Sequence, residues 1–484
     1  MKSGAEFSLG WLSGRNYGRC AFMRMTGKIP MLMILGFGLG IAGCGPREST
    51  TWESFKDPAT AAQLKAFVAE KEAQARAGTD DVSVYQAFFA AAQKGNWPAV
   101  NKAYKALKRH APQYRHSPSA NDERLSGPCW QVAMEIWGAF DAFGEGDEKY
   151  SAAFGKDVMA SIPPGSIYFG GTDPGRFIVT ALQKSQVRGE PFFTLTQNAL
   201  VDSTYLAYVR GLYGAKIYIP TDEDARVCFQ SYMEDARQRL QNNQLKPGEG
   251  IQTDGEGRIT VSGQVAVMEI NGLLARIIFE KNPDRDVYVE ESFPLDWMYP
   301  FLEPHGLIMK LNRQPRPVLT EDLVQQDRDY WAKLIQPMIG GWLHEDTSVG
   351  EIAAFVRKTF GQHDFQGFQG DRRFIENDYT HRMYAKLRVS LAELYAWHRQ
   401  QAADAAEKER MTREADFALR QAWALCPYLP EAVYRYVDLL LAQNRAADAL
   451  LVAETAAQLP AMQGQNGEQL RSLIPKLKAM APAK

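Results

Sequence analysis

An apolar run that ends in a cysteine is the strongest constraint on this chain. Residues 29–43 are almost wholly apolar, with Lys28 before them and Cys44 after them. As a helix, this run would reach about 22 Å, which is less than the about 30 Å hydrocarbon core of a membrane. No later stretch comes close to 18 uninterrupted apolar residues. The sequence therefore predicts a removable leader followed by a body that folds in water.

The end of this run, Ile41-Ala42-Gly43-Cys44, resembles the lipobox of a bacterial lipoprotein signal peptide. The resemblance implies lipidation of Cys44 and attachment to a membrane outside the cytoplasm. The residue after the cysteine is Gly45 and not aspartate, and in this the chain resembles lipoproteins that are sent to the outer membrane. In a cell with two membranes, the body would then face the periplasm. A plain secretory signal and a short membrane anchor remain alternatives. The start of translation is left open among Met1, Met23 and Met25.

Composition indicates a globular body and excludes several classes. Hydrophobic residues make up 45% of the chain and charged residues 23%, which excludes disordered, collagenous and coiled-coil proteins. The 55 basic and 57 acidic residues nearly balance, so no nucleic-acid partner is expected. Three further cysteines in the body are too few and too scattered for a disulfide framework or a tetrahedral zinc site. They are Cys129, Cys228 and Cys426.

Both ends of the body show helical spacing with many small residues. Residues 82–112 predict two helices joined by a turn, and three alanines in the second helix resemble a tetratricopeptide repeat, in which small residues let antiparallel helices approach closely. These alanines are Ala99, Ala103 and Ala106. Residues 391–456 predict two stacked repeats, with a charged insertion at 400–410. A lone helical hairpin would give the same pattern at the amino-terminal end, so that alternative stays open.

Between these ends, strand and helix patterns alternate. The predicted strands are 166–169, 192–196, 216–219, 286–290 and 306–311. Strands too far apart for hairpins imply right-handed crossovers and a mostly parallel sheet covered by helices. We therefore predict an α/β fold, with a mostly parallel Rossmann-like sheet flanked by tetratricopeptide-like helical hairpins at both ends.

A strand-to-helix turn at residues 170–176 is the best candidate for a ligand site. Two glycines end the strand, which would leave backbone N–H groups and the positive end of the helix facing a crevice where an anion or polar ligand could bind. Polar residues after the next strand would lie at the same sheet edge. The candidate ligand-binding residues are Gly170, Gly171, Asp173, Arg176, Asn198 and Asp202. Helix capping is the alternative role for the acidic residues.

Motifs for catalysis are not recognisable in the sequence. The glycine turn continues neither as a P-loop nor as the dinucleotide fingerprint, and there is no G-x-S-x-G elbow. The histidines lack a second histidine at helical spacing, and Asp284-Arg285-Asp286 is too short a pattern to predict a metal site. The sequence thus predicts no catalytic residue, no metal and no cofactor. A protein that is not an enzyme is favoured, although an enzyme stays open.

Four segments of the body share one further resemblance. They are 164–171 with Asp173 and Phe177, 288–292, 297–311 and 377–395. Together they resemble the soluble carboxyl-terminal region of bacterial membrane proteins related to protein O-mannosyltransferases, a family of unknown function. That family has Gly-Asp-x-Asp-Thr-Phe after the first strand, whereas this chain keeps one acid and the phenylalanine. The polytopic transferase part is not expected here, so the resemblance implies an accessory or sensor module.

These features predict a lipid-anchored extracytoplasmic binding or assembly protein whose tetratricopeptide-like helices contact a protein or peptide partner. The alternative is a glycan- or sugar-phosphate-binding module or enzyme linked to cell-envelope glycosylation, acting at the strand ends of the α/β domain. The predicted segments are a signal peptide (1–43), a tether and helix (44–80), a tetratricopeptide-like helical region (81–160), the α/β domain (161–315), a helical connector (316–380) and tetratricopeptide-like repeats (381–484).

Overall fold

A computed structural model describes most of the body, namely residues 51–78, 82–111, 122–125, 127–171, 173–183, 192–246, 249–253, 259–262, 264–290 and 295–481. The predicted signal peptide and Cys44 lie outside these residues. The structure is 69% helical and divides into two compact units. The first unit contains the chain up to Trp137 and Gln197–Asn282, and the second contains Gly138–Thr196 and Pro283–Lys484. Within the described ranges, no helix combines the length and apolar character needed to cross a membrane.

Most of the described residues belong to helices, and the strands are short. The α-helices are α1 (Pro58–Gly78), α2 (Gln86–Gln93), α3 (Trp97–Lys108), α4 (Pro128–Gly144), α5 (Glu148–Ser161), α6 (Asp173–Leu182), α7 (Ser203–Tyr213), α8 (Asp222–Gln241), α9 (Gln264–Lys281), α10 (Glu321–Ile339), α11 (Val349–Val356), α12 (Arg372–Glu376), α13 (Asp378–Gln401), α14 (Ala405–Leu425), α15 (Pro430–Ala442), α16 (Ala446–Ala457) and α17 (Gly464–Met480). The strands are β1 (Ile167–Phe169), β2 (Phe193–Leu195), β3 (Gly250–Thr253), β4 (Ile259–Ser262), β5 (Val287–Val289), β6 (Leu302–His305) and β7 (Ile308–Leu311).

In the first unit, α2 and α3 form a hairpin with a tight turn. Gly95 takes a φ of +66° in this turn, a conformation that glycine adopts without strain. The ring of Trp52 fills the space where a side chain at this position would lie. Asn96 begins α3 because its side chain accepts a hydrogen bond from the N–H of Ala99 at 3.1 Å. The turn between the two predicted helices is therefore fixed by local chemistry.

A buried ion pair connects α1, α4 and α7 in the first unit. The Lys71 ammonium lies 2.5 Å from the Glu135 carboxylate. The Tyr208 hydroxyl accepts a hydrogen bond from Lys71 at 2.7 Å and donates one to Glu135 at 2.7 Å. All three side chains are buried. Burying a charge pair is costly unless its hydrogen-bonding groups are satisfied, and the tyrosine helps to satisfy them.

Asparagine side chains fix two loops of the first unit. Asn271 on α9 accepts a hydrogen bond from the N–H of Val201 at 2.8 Å. Asn282 accepts one from the N–H of Tyr218 at 2.8 Å and donates one to its carbonyl at 3.1 Å. The backbone of Tyr218 is thus bonded to a side chain and not to a neighbouring strand. The predicted strand 216–219 does not form, and the described chain is irregular there.

The second unit contains a five-stranded mixed sheet in the order β2-β1-β5-β7-β6. Strand β1 pairs in parallel with β2 and β5, whereas β7 is antiparallel to both β5 and β6. Strands β6 and β7 form a hairpin that turns at Gly306, whose φ is +66°. The sheet is small, because its strands are only three or four residues long.

The predicted Rossmann-like α/β fold with flanking tetratricopeptide-like hairpins is therefore wrong. The structure is mostly helical, and the larger of the two sheets in the described ranges is mixed. The prediction treated residues 203–280 as strands and crossover helices of the same sheet, but α7, α8 and α9 belong to the first unit. It also missed β6, which pairs with β7 over a tight turn and adds an antiparallel edge.

Helices α13 to α17 follow one another in the second unit, and each packs against the next. Local caps explain where the first two begin. Asn377 accepts a hydrogen bond from the N–H of Thr380 before α13, and Asp404 accepts one from the N–H of Glu407 before α14, both at 2.8 Å. The charged insertion continues α13 and begins α14. The assignment of these helices to tetratricopeptide repeats stays a prediction.

Candidate functional site

The predicted glycine turn lies between β1 and α6 in the second unit. The N–H of Gly170 donates a hydrogen bond to the carbonyl of Leu195 at 2.8 Å. The N–H of Gly171 donates one to Oε2 of Glu290 at 3.1 Å. The protein itself thus uses both backbone donors that the sequence suggested for a ligand.

Glu290 is the residue that sequence reasoning missed at this turn. It follows β5 directly and is buried. A side chain at Gly175 would come within 2.3 Å of its carboxyl carbon, so glycine lets the carboxylate approach the first turn of α6. A negative charge is stabilised near the amino-terminal end of a helix. An external anion at this position would have to displace the Glu290 carboxylate. A polar residue directly after a buried strand is the signal that could have identified it.

The other predicted site residues fall in both units. Arg176 lies in the first turn of α6, is buried, and places its guanidinium 5.0 Å from the centre of the Phe177 ring. Asp173 begins α6, but its side chain is outside the described set. Asn198 and Asp202 belong to the first unit, where the carbonyl of Asn198 accepts a hydrogen bond from Asn271 at 3.0 Å.

Helix capping accounts for Asp202. Its side chain accepts a hydrogen bond from the N–H of Thr204 at 2.8 Å and a longer one from the N–H of Tyr205 at 3.4 Å. These two bonds satisfy donors in the first turn of α7 that have no partner within the helix. The capping alternative for this acid therefore has direct geometric support.

Arginines line a cleft in the second unit, which we call the arginine cleft. It has a volume of about 160 Å³ and is formed by α10, α14, the loop after α10 and the turn between α15 and α16. Four arginines, two carboxylates and three other side chains line it. They are Arg328, Arg413, Arg420 and Arg445, then Glu345 and Asp416, then Thr412, Phe417 and Gln443.

Two of these arginines are held firmly in the wall of the cleft. Arg328 donates from Nε to Glu414 at 2.7 Å and also pairs with Glu345. Arg420 donates from Nη1 to the carbonyls of Glu345 and Thr347, both at 2.7 Å. Because these guanidiniums bridge α10, α14 and the loop between α10 and α11, they shape the cleft.

Two other side chains of the cleft, Arg445 and Gln443, have N–H groups without a hydrogen-bond acceptor in the described ranges. Arg445 donates from Nη1 to Asp416 at 2.9 Å and from Nε to Asp448 at 2.8 Å, while its Nη2 makes no hydrogen bond within the described ranges. Burial lowers the pKa of Arg445, but Asp416 and Asp448 more than offset this, so the pKa lies above its ordinary value. Nε2 of Gln443 is buried and finds no hydrogen-bond acceptor among the residues that the structure describes.

Arg413 is the most exposed arginine of the cleft, with 60% of its side chain accessible. Its partner is Glu409 on the same helix, at 3.2 Å, and that carboxylate is 74% exposed. Such a surface pair is worth about 0–1 kcal/mol and exchanges partners easily. The arginine cleft therefore offers N–H donors to a ligand that carries acceptors.

A polar cluster lies at the start of α13, with His381 and Tyr428 buried and Asp378 at the surface. The Tyr428 hydroxyl donates a hydrogen bond to Asp378 at 2.6 Å and contacts Nε2 of His381. Burial lowers the pKa of His381, so the imidazole is neutral at neutral pH. Burial opposes ionisation of Asp378, but the hydrogen bond with His381 and the charge of Arg382, which donates to it at 2.8 Å, hold the pKa of this carboxyl well below its usual range. This cluster stabilises the contact between α13 and the segment after α14.

The thiols of the described chain are poorly suited to nucleophilic chemistry. All three are buried and free, and burial raises the pKa of Cys129 to about 12, that of Cys228 to about 11 and that of Cys426 to about 12. A thiol with such a pKa is protonated at neutral pH and reacts slowly. No group of three or more His, Cys, Asp or Glu side chains suited to a metal occurs in the described ranges.

No protein-family model, no curated protein and no solved structure matches this chain. The resemblances drawn from its sequence therefore stay predictions. Function has to be inferred from the geometry of the arginine cleft and of the glycine turn.

Part of the arginine cleft has a signal in the sequence. Arg413, Asp416 and Arg420 are spaced by three and four residues, which places them on one face of α14. Arg328 and Arg445 come from other elements, and no local pattern connects them to this face. The cleft as a whole could be found only from the fold.

Proposed function

We propose that this chain is a lipid-anchored extracytoplasmic binding or assembly protein that contacts a protein or peptide partner through its carboxyl-terminal helices. The arginine cleft is the observation that supports this function best. Arginine is enriched at the centres of protein interfaces because its planar guanidinium combines several donors with an apolar face. Here four arginines converge beside Phe417, which lies 5.4 Å from the guanidinium of Arg420.

The size of the cleft favours a side chain over a free small molecule. Its volume of about 160 Å³ is close to the about 150 Å³ that holds a benzene-sized molecule. Pockets for drug-sized ligands and cofactors usually measure about 300–1,000 Å³. A space of this size can hold one side chain or one chain end of a partner.

The proposed anchor would hold the body close to a membrane. Cys44 precedes Thr51, the first described residue, by seven positions. An extended chain of that length spans at most about 25 Å. A lipidated Cys44 would thus restrict the protein to partners at or near the same membrane.

Site-specific photo-crosslinking in intact cells tests the proposed binding surface. We would replace Thr412, which lines the arginine cleft, with p-benzoylphenylalanine. Ser472 on α17 is the matched control, because both hydroxyls donate to a carbonyl of their own helix, at 2.6 and 2.7 Å. We expect one identified protein to be captured from position 412 and to be missing at position 472.

The capture must also depend on the cleft. Arg413→Glu, which adds a negative charge to the rim, should reduce the yield at position 412 several-fold. If positions 412 and 472 capture the same proteins, or if position 412 captures none, the arginine cleft is not a partner-binding surface and the proposal is wrong.

A further inference from the structure

The geometry of the arginine cleft also points to the chemistry of the partner. We propose that it binds an acidic peptide segment, with one aspartate or glutamate side chain of that segment entering the cleft. This inference rests on the proposed function, because it names the class of partner that the same site accepts.

The first reason to expect an acidic ligand is that several N–H groups of the arginine cleft have no acceptor. Arg413 donates from Nη1 to Glu409, and its Nε and Nη2 make no hydrogen bond within the described ranges. The same holds for Nη2 of Arg445 and for the buried Nε2 of Gln443. The side chains of Arg413 and Arg445 are 60% and 35% exposed, so a ligand carboxylate can reach their free N–H groups. Guanidinium groups match carboxylates in paired, two-bond geometry.

The existing ion pairs of the rim can be exchanged at little cost. The pair between Arg413 and Glu409 is exposed on both sides, and that between Arg445 and Asp448 is about one-third exposed on both sides. Exposed pairs contribute little because water and salt screen them. A carboxylate from a partner can therefore accept hydrogen bonds in place of Glu409 or Asp448, or beside them. Arg328 and Arg420, which form the walls, stay in place.

Two carboxylates in the same cleft favour a peptide over phosphate or an anionic lipid surface. Glu345 and Asp416 are acceptors that line the cleft beside the arginines. An acidic peptide has backbone N–H groups that can donate to them as well as carboxylates that can accept from the arginines, whereas a phosphate at neutral pH offers mainly acceptors. Phe417 adds an apolar surface for the methylene groups of a glutamate side chain.

The test is a fluorescence anisotropy titration of the full-length body with fluorescein-labelled hexaglutamate, and with hexalysine as the charge-reversed probe. Arg413→Glu should weaken hexaglutamate binding at least tenfold. Because that side chain is 60% exposed, the variant should fold normally, which its thermal midpoint checks. Arg471→Glu on α17, an exposed site outside the cleft, should change binding less than twofold.

A second variant addresses the buried donor. Gln443→Glu replaces an amide donor with a carboxylate of similar shape, and it should also weaken hexaglutamate binding while leaving hexalysine unbound. Binding of hexaglutamate should fall steeply with added salt, as expected for charged groups at a partly exposed site.

Several results would overturn the inference. One is that the wild-type chain does not bind hexaglutamate, and another is that Arg413→Glu and Arg471→Glu weaken binding equally. Competition by inorganic phosphate, or by phosphatidylglycerol vesicles at matched charge, would indicate a general anion site. If position 412 still captures a partner in cells while hexaglutamate does not bind, the partner-binding function stands and the acidic chemistry is wrong.

Discussion

Arg388 is a guanidinium in the interior of the second unit. Its Nη1 donates a hydrogen bond to Oδ2 of Asp327 at 2.7 Å, and its Nε donates one to Gln421 at 2.7 Å. The hydroxyl of Tyr395 donates to the same Asp327 oxygen, also at 2.7 Å. The side chains of Arg388 and Asp327 are 1% and 0% exposed. This network connects α10, α13 and α14.

Removing this guanidinium should strongly destabilise the protein. Arg388→Met leaves the Asp327 carboxylate buried without its cation, which costs about 3–5 kcal/mol of unfolding free energy. The matched control is Arg372→Met, because Arg372 pairs with Glu376 on the surface, where the loss should stay below about 1 kcal/mol. Urea unfolding of both variants measures the difference. Equal losses would show that the buried pair contributes no more than a surface pair.

The position of the glycine turn could be predicted from single residues of the sequence. Gly170 and Gly171 stand out because they follow a strand and precede a helix, and the structure does place them between β1 and α6. Their hydrogen-bond partners could not be predicted. Leu195 and Glu290 come from other strands, and Glu290 lies 119 positions further along the chain than Gly171.

Helix α13 carries two buried histidines, and they make its stability depend on pH. Burial lowers the pKa of His398 to about 4, although Glu407 opposes this, and burial also lowers the pKa of His381. In the unfolded chain a histidine has a pKa near 6.5. The unfolded state therefore binds more protons below pH 6.5, so the stability contributed by the neutral form is present above that pH and is lost as the pH falls towards 4.

Acidification from pH 7 to pH 5 should lower the unfolding free energy by about 2 kcal/mol through His398 alone. His398→Gln should reduce this slope, whereas His344→Gln, at an exposed position, should leave it unchanged. Urea midpoints at several pH values measure both. A slope that His398→Gln does not alter would mean that this imidazole does not remain neutral in the folded protein.

Helices were easier to predict than strands because their signals are local. Helix α8, for example, begins with a capping box between Thr221 and Asp224, which are only three residues apart. The strands depend on partners far away in the sequence, since Ile167 of β1 pairs with Val287 of β5. A segment of three apolar residues carries no information about such a partner, so the sheet order could not be deduced.

At the scale of the whole molecule, neither compact unit is continuous in the sequence. Residues 197–282 belong to the first unit although segments of the second flank them on both sides. The predicted boundaries at residues 161 and 315 followed changes in hydrophobic period, and these changes do not show which segments pack together. The arginine cleft likewise combines α10 with α14 and the turn before α16, which no boundary rule would group.

The proposed anchor leads to a prediction for the complete chain. Cys44→Ser removes the thiolate that would be lipidated, so the protein should move from the membrane fraction to the soluble fraction. Cys129→Ser is the control, because this thiol is buried in the first unit and should leave the distribution unchanged. Membrane fractionation with immunodetection measures both. A Cys44→Ser protein that stays with the membrane would show that lipidation does not hold it there.

The most direct test of the partner-binding account is the crosslinking yield at position 412 relative to position 472 in intact cells, measured with and without Arg413→Glu. Binding at the arginine cleft predicts a high ratio that falls several-fold in the charge-reversed variant. A ratio near one, or a high ratio that Arg413→Glu leaves unchanged, would contradict it.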